Sequence, residues 1–461
     1  MSSIPPPQAP SHRQMTYMSR FSCIGPDCES TCCHGWTIFL TKPEFRALKK
    51  TLGGSKEGAR RFRRSVKRFE GTGSIRPSSQ LFAIINMNEE TRDCGFLNED
   101  RWCSLHSEFG EQSLGNVCAL FPRLQSSFGA RTELAGSIGC PETARMVLLT
   151  EDGCDITEVP EPMTFERRYL IGAIPKAETR PYFTHIDTVR GVFGHVLHAT
   201  DHPLSVRWLV MAMFGQRTAP HFHRAGTDPT ATESLVTHGE ACLNPEDMTE
   251  AARFLEGVEI SESVSARLLV LLLSTTATGT QFERFRTLAR TIMNEYLKRS
   301  GQTTLEAEQA ELRIQPEPAL AAFRELRDWQ SRFLGEHIEA VLTRFSHYYS
   351  FSQWHTKTPN LLVYVQRMLI EVTLFRFLVA GHPLLTGAMD ALRGPDGALP
   401  ETLDAGQLEA LRETWDTAMI EVWHLLARNL EHAPQTLSEL EAALAEQGLQ
   451  SLGLVVHLIK T

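Results

Sequence analysis

From about residue 159 onward, apolar residues recur at spacings of three and four, the repeat that places them on one face of a helix. The pattern covers Val206–Phe214, Ser263–Ser274, Phe282–Lys298, Ala319–Phe345, Leu361–Val379 and Leu408–Asn429, in a background rich in Leu, Ala, Glu and Arg. Pro203, Pro220, Pro245, Pro359, Pro383 and Pro395 separate these stretches, because proline has no amide proton and clashes with the preceding turn. An aromatic run, His347 to His355, lies between two of the predicted helices. Upstream the pattern is different. Trp36–Leu40 and Leu81–Ile85 read as short strands, Ser126–Arg131 as a Gly-centred hairpin, and Pro141–Leu149 as a helix with proline in its first turn. Val159-Pro160-Glu161-Pro162 marks a boundary, and the first residues are Pro- and Ser-rich. The prediction is a mainly α fold in three parts. Residues 1–15 form a disordered tail, 16–158 a cysteine-rich metal- or cluster-binding domain with a few short strands, and 159–461 a large α-helical domain.

Composition adds bounds. At 461 residues, with 42% apolar and 22% charged residues, the chain has the make-up of an ordinary globular protein. Its most apolar run, Leu268–Leu273, falls far short of the roughly 18–20 residues of a membrane-spanning helix. The N-terminus MSSIPPPQAPSHRQM has no apolar signal core. The expectation is a cytoplasmic protein with no membrane partner. A net charge of −9 opposes a general nucleic-acid binder. Against that background, Arg46 to Arg68 carries a local net charge of +9, leaving −18 for the rest. It reads as a solvated helix face, or as a docking patch for an acidic partner.

The chemistry lies in the cysteines. Nine of the ten fall between Cys23 and Cys154, and only Cys242 lies outside. In a reducing compartment such a concentration points to metal binding rather than to disulfides. Cys23, Cys28, Cys32 and Cys33 are spaced C-x4-C-x3-C-C; Cys94 and Cys103 flank the polar turn Asn98-Glu99-Asp100; Cys118 and Cys140 follow. Four thiolates complete a tetrahedral zinc site or hold one iron–sulfur cluster, so these eight fill two sites or surround one. Gly, Pro and Asp between them let the backbone turn sharply and offer amides to sulfur. His34 and His106 read as neighbours of the site rather than ligands, and Cys154 and Cys242 as ordinary residues. Thiolate suits zinc and iron alike. The C-x3-C-x2-C loop of radical enzymes is absent, since Gly35 stands at its third position. A complete G-x-G-x-x-G, a P-loop and an H-E-x-x-H are absent too.

The run Tyr17-Met18-x2-Phe21-x-Cys23-Ile24-Gly25-x2-Cys28-Glu29-x-Thr31-Cys32-Cys33-x-Gly35-Trp36-x-Ile38 resembles the flagellin lysine N-methylase (FliB) family. So do Cys94-x-Phe96-Leu97-Asn98-Glu99-Asp100, Cys103-Ser-Leu, Glu111-x2-Leu114-x3-Cys118, Phe121-Pro122-Arg123 and Cys140-Pro141-Glu142-x-Ala144-Arg145. The order and gaps both match over residues 17 to about 150. The resemblance implies an S-adenosylmethionine-dependent protein-lysine methyltransferase carrying a [4Fe-4S] cluster and modifying surface lysines of flagellin. Under that reading, Tyr348, Tyr349 and Trp354 suit a cationic sulfonium or ammonium, with the two tyrosines as catalytic candidates. Glu29 and Arg123, beside cluster cysteines, are candidates with Trp354 for the cofactor. The alternatives from the residues alone are a zinc-stabilised interaction module without catalysis and an iron–sulfur redox protein.

Overall fold

The computed structural model describes residues 12–72, 76–128, 131–160, 172–174, 185–221, 229–242, 244–278, 283–302, 316–353, 358–430, 434–446, 449 and 451–461. Among the described residues the protein is mainly helical, with short strands in the cysteine-rich part, one more strand within the expected helical part at Gly172–Ile174, and a large helical part following. Its residues form two units, one of residues up to 143 with 155–173, the other of residues 144–154 with 174–461.

The first unit holds two small sheets. Strands β1 (His12–Met15), β2 (Ile38–Leu40), β3 (Val66–Arg68) and β4 (Ala83–Ile85) alternate with helices α1 (Lys42–Leu52) and α2 (Lys56–Ser65). Then come α3 (Ser104–Phe109), α4 (Asn116–Leu120), β5 (Arg123–Phe128), β6 (Arg131–Gly136), α5 (Pro141–Leu148), β7 (Ile156–Val159) and β8 (Gly172–Ile174). The division between the units falls within α5 and at β8. The five-stranded sheet runs β7-β1-β6-β5-β8, and the three-stranded sheet β2-β4-β3. In the predicted hairpin Phe128 pairs with Arg131.

Residues 12–15 depart from the expected tail. His12–Met15 is a strand, parallel to β6 and antiparallel to β7. Just beyond it Tyr17 is fully buried; its hydroxyl donates to the Gly136 carbonyl at 3.2 Å and accepts from the Gly136 amide at 2.8 Å. The partners are some 120 residues away, so local composition does not reveal them.

Helix α1 starts where Thr41 and Glu44 cap each other reciprocally, the Thr41 amide donating to Glu44 Oε2 at 2.7 Å. Ser55 caps α2, its Oγ accepting from the Gly58 amide at 2.9 Å. Leu48, Leu52 and Phe62 turn inward onto Ile38, Leu40, Ala83, Ile85 and Phe96. The same helical repeat turns Arg46, Lys49, Lys50, Lys56, Arg60, Arg63 and Arg64 outward, and Lys67 and Arg68 are exposed on β3. The basic stretch is therefore a solvated face over an apolar underside.

The second unit comprises α6 (Ile186–His198), α7 (Leu204–Thr218), α8 (Pro229–Cys242), α9 (Pro245–Gly257), α10 (Glu262–Thr278) and α11 (Glu283–Arg299). It continues with α12 (Pro316–Ser352), α13 (Leu361–Ala380), α14 (Pro383–Ala391), α15 (Ala405–Leu430), α16 (Pro434–Glu446) and α17 (Leu452–Lys460). Each predicted apolar stretch lies in one of these helices, save Phe282, which is outside the described residues. Helix α13 is apolar nearly all round and buried along most of its length, as a central helix must be. Within the described residues the aromatic run is helical: His347–Ser352 are the last turns of α12, with no proline or glycine between Glu336 and Ser352 to end it sooner.

Gly215 shows how closely α7 and α13 pack. A Cβ there would lie 2.6 Å from the Leu362 amide nitrogen. Gly215→Ala is expected to cost about 1–3 kcal/mol through forced backbone shifts, read as a lower urea midpoint at unchanged slope.

Two histidines make the helical unit acid-sensitive. Burial first, then Arg428, holds the His424 imidazole down at about 3, against the opposing effect of the Ile420 carbonyl, which its Nδ1 bonds at 2.8 Å. Burial first, then His198 and Arg207, hold His347 at about 4. In the unfolded chain both titrate near roughly 6.5. Between that value and about 4 the unfolded chain binds protons that the folded one refuses, so stability falls as pH falls. The expected loss is about 1.4 kcal/mol per histidine for each pH unit over that window. Thermal melts at pH 7, 6, 5 and 4 check it; an unchanged midpoint between pH 6 and 4 contradicts it.

Candidate metal centre

The first unit's core contains sulfur. Cys33 and Cys94 are buried among Ile38, Leu40, Ile85 and Phe96, and Cys32, Cys103 and Cys118 pack against them half-buried. Cys33 and Cys94 are brought side by side by backbone: the Cys94 amide donates to the Cys33 carbonyl at 2.8 Å, and the Gly35 amide to Arg92 at 3.0 Å. The Cys94–Cys103 segment folds back as the cysteine spacing suggested. The Asn98 amide bonds Trp102, the Ser104 amide bonds Phe96, and Leu97 bridges Cys103. Arg101, in the polar turn, has φ +59°, a left-handed geometry that tightens it.

The Cys33 thiol interacts with those of Cys103, Cys32 and Cys94, in that order of effect, and is driven far above its ordinary value. The same contacts act oppositely on its neighbours. Cys103 is lowered to about 6, first by the Cys33 thiol, against burial, and further by the amides of His106 and Leu105 at the start of α3. Cys103 is the N-cap of that helix, where amides point outward and favour a negative charge. Cys94 is lowered by Cys33 and, against burial, by the Phe96 amide. Burial pushes Cys118 well up, with the fields of Cys32, Cys94 and Cys103 added. Cys23 is exposed and receives the Gly25 amide at 3.4 Å. Burial raises its thiol, and Cys32, Arg123 and Cys103 are near enough to act on it.

Cys140 is held up at about 11 by burial first, opposed by Thr143, and its nearest sulfur influence is Cys28. The two remaining cysteines are elsewhere: Cys154 donates to the Arg344 carbonyl at 2.9 Å, and Cys242 is buried on α8.

Around the thiols, His34 faces Asp93 (Nδ1 to Oδ1, 3.2 Å) and His106 packs edge-on against Trp102. The Arg123 guanidinium donates to the Ala119 carbonyl at 3.1 Å and to Glu111 at 3.4 Å, with its face 5.6 Å from the Phe21 ring. Glu29 is exposed beside Cys28. Tyr348 and Tyr349 are buried in the helical unit, Tyr349 receiving the Tyr364 hydroxyl on its carbonyl at 3.0 Å. Trp354 lies outside the described residues. Sequence reasoning passed over Arg61, which pairs with Glu108 at 2.8 Å and whose field lowers Cys103; its place in a basic run hid this role.

Among the described residues no three His, Cys, Asp or Glu side chains converge on one point as ligands of a single metal ion. The donor set still suits a sulfur-bound metal group. Four thiols interact, two are poised toward thiolate, and backbone amides point at the sulfurs of Cys23, Cys94 and Cys103, as thiolate ligands require.

No family model matches the chain, and no solved structure matches it. Curated relatives do. The chain is 26% identical over 142 residues to the lysine-N-methylase of Salmonella typhimurium, 31% of this chain and 33% of that one. It is 25% identical over 142 residues to the lysine-N-methylase of Salmonella choleraesuis, with the same shares. A likeness of 25% over 142 residues covers 79% of the flagellar biosynthetic protein FliU of Salmonella muenchen. The match spans about a third of the length of the curated lysine-N-methylases. Over that third, this chain is a distant homologue of the lysine-N-methylases and of FliU.

Proposed function

We propose that the protein is an S-adenosylmethionine-dependent protein-lysine N-methyltransferase that carries a [4Fe-4S] cluster and acts on surface lysines of flagellin. The observation that carries the metal part is the interacting group Cys32, Cys33, Cys94 and Cys103; the likeness to lysine-N-methylases carries the reaction. Cys23 and Cys118, beside them, and the Cys28–Cys140 pair complete the eight candidates. A cluster there supplies a rigid core for four loops and Lewis-acidic iron. S-adenosylmethionine supplies an electrophilic methyl group.

The chain's own part is to hold thiolates and to orient charge. The Cys33 thiol first, then the α3 amides and Arg61, keep Cys103 ionisable, so it binds metal without a large proton cost. Arg123, fixed by Ala119 and Glu111 near Cys23, is a guanidinium available to a carboxylate beside the sulfurs. A lysine substrate has to arrive neutral, against an ordinary pKa near roughly 10.4, so its pocket must desolvate it.

Anaerobic isolation tests the cluster: a brown protein absorbing at roughly 400 nm with about four irons per chain is expected. Labelled methyl transfer to flagellin tests the reaction. An intact cluster without transfer removes flagellin as the substrate. One observation favours a second reading, a zinc-stabilised interaction module: the ten exposed Lys and Arg residues of α1, α2 and β3. Colourless protein with stoichiometric zinc decides for it.

A further inference from the structure

The helical unit contains a cavity of about 330 Å³, lined among others by Trp208 of α7, Gly335 and Leu342 of α12, Phe375 and Arg376 of α13 and Trp415 of α15. Arg376 is its distinctive member. Protein surrounds it, and burial, with Arg327 adding to it, lowers its pKa to about 10. Yet the side chain keeps some accessible surface, because it borders the cavity. Its Nη1 donates to the Ile459 carbonyl at 3.3 Å, and among the described residues no carboxylate forms an ion pair with it. The carboxylates nearby are engaged: Asp328 pairs with Arg327 at 2.7 Å, and Glu339 pairs with Arg207. Asp328 is near enough to act on Arg376 but is held by Arg327, and a desolvated guanidinium without an ion pair of its own is costly, since such groups are normally paired.

Gly335 is the second observation. It sits inside the 37-residue helix α12 and lines the cavity. A Cβ there would meet nothing within 4 Å. Glycine in a helix interior is a net cost relative to alanine, and no close backbone approach accounts for it here. What the missing side chain does is leave the cavity open.

We propose that this cavity binds a small organic carboxylate with an aromatic or branched apolar body. The carboxylate pairs with Arg376, and the body packs on Trp208, Phe375 and Trp415. The volume lies at the lower end of the range of small-molecule sites, roughly 300–1,000 Å³; of the charged side chains in its lining, Arg327 and Glu339 are engaged in ion pairs, and Arg376 is not. The site is independent of the thiol group and of the methyltransferase reading.

The test uses the full chain with 3-phenylpropionate and its neutral isostere 3-phenylpropionamide, followed by tryptophan fluorescence and calorimetry. Saturable binding of the acid, at least about tenfold tighter than the amide, is expected from a charge-assisted contact. Arg376→Gln should remove that preference. Because Arg376 also bonds the end of α17, this variant is checked by its circular-dichroism melt. Gly335→Leu fills the cavity without touching Arg376 and should abolish binding while leaving the melt unchanged or raised. Equal binding of acid and amide, no binding of either, or undiminished binding in Gly335→Leu overturns the proposal.

Discussion

Cys33→Ser is expected to strip the metal group and the activity together, and to destabilise the first unit. Cys33 is the sulfur whose thiol interacts with all three of Cys32, Cys94 and Cys103, and it is buried. A serine hydroxyl is smaller, a far weaker acid and a poor ligand for soft metals. It also removes the contact that lowers Cys94 and Cys103. Ligand loss in a site whose binding is coupled to folding shows up as stability, so the melt should fall with the metal content. Iron and sulfide per chain, measured anaerobically on wild type and variant, is the readout. Cys154→Ser and Cys242→Ser are the controls, expected to keep full metal, since the Cys154 thiol donates to the Arg344 carbonyl and Cys242 is buried on α8. If Cys33→Ser retains full metal, Cys33 is not a ligand, and the ligands lie among the other seven candidate cysteines.

Trp423→Ala is expected to destabilise the helical unit by about 3–5 kcal/mol. Trp423 is fully buried on α15, between Phe345 of α12 at 4.0 Å and Phe375 of α13 at 4.4 Å, both nearly parallel to it. It therefore joins three helices at once. Its removal leaves a void between two rings that their own helices hold in place, so collapse into the space is limited. Against total stabilities of about 5–15 kcal/mol, that loss is a large fraction. The melting midpoint should fall by roughly 10 °C. Trp423→Phe, which refills most of the volume, should recover more than half of it. A melt unchanged in the alanine variant would mean the stack is not a core element.

The two kinds of element were legible to different degrees. The helices of the second unit were readable because their apolar spacing is a local property: each turn contacts the next, and proline ends it. The exception was His347–Ser352, where an unusual composition suggested a connection while the backbone simply continued. In the first unit Ile38–Leu40 and Ala83–Ile85 were readable as strands, but β1 was not, since its pairing partners lie at Thr132–Leu134 and Ile156–Val159. Eight cysteines stood out as chemistry from their spacing. Which of them interact was not readable. Cys33 and Cys94 are joined by one backbone hydrogen bond across 61 positions, and Cys28 and Cys140 lie near each other across 112.

The sequence by itself therefore determined the helical character of the larger part, the sulfur-rich character of the smaller, and the kinship of about a third of the chain with lysine-N-methylases. These follow from periodicity, composition and motif spacing, which are set by neighbours along the chain. Only the tertiary structure decided that Cys33 is the hub of a four-thiol group, that Arg61 lies near Cys103, and that Arg376 borders a cavity with, among the described residues, no carboxylate paired to it. Such facts depend on which distant segments pack together. That is decided by strand register, helix crossing and burial, through contacts between residues far apart in the chain, and none of them leaves a local mark.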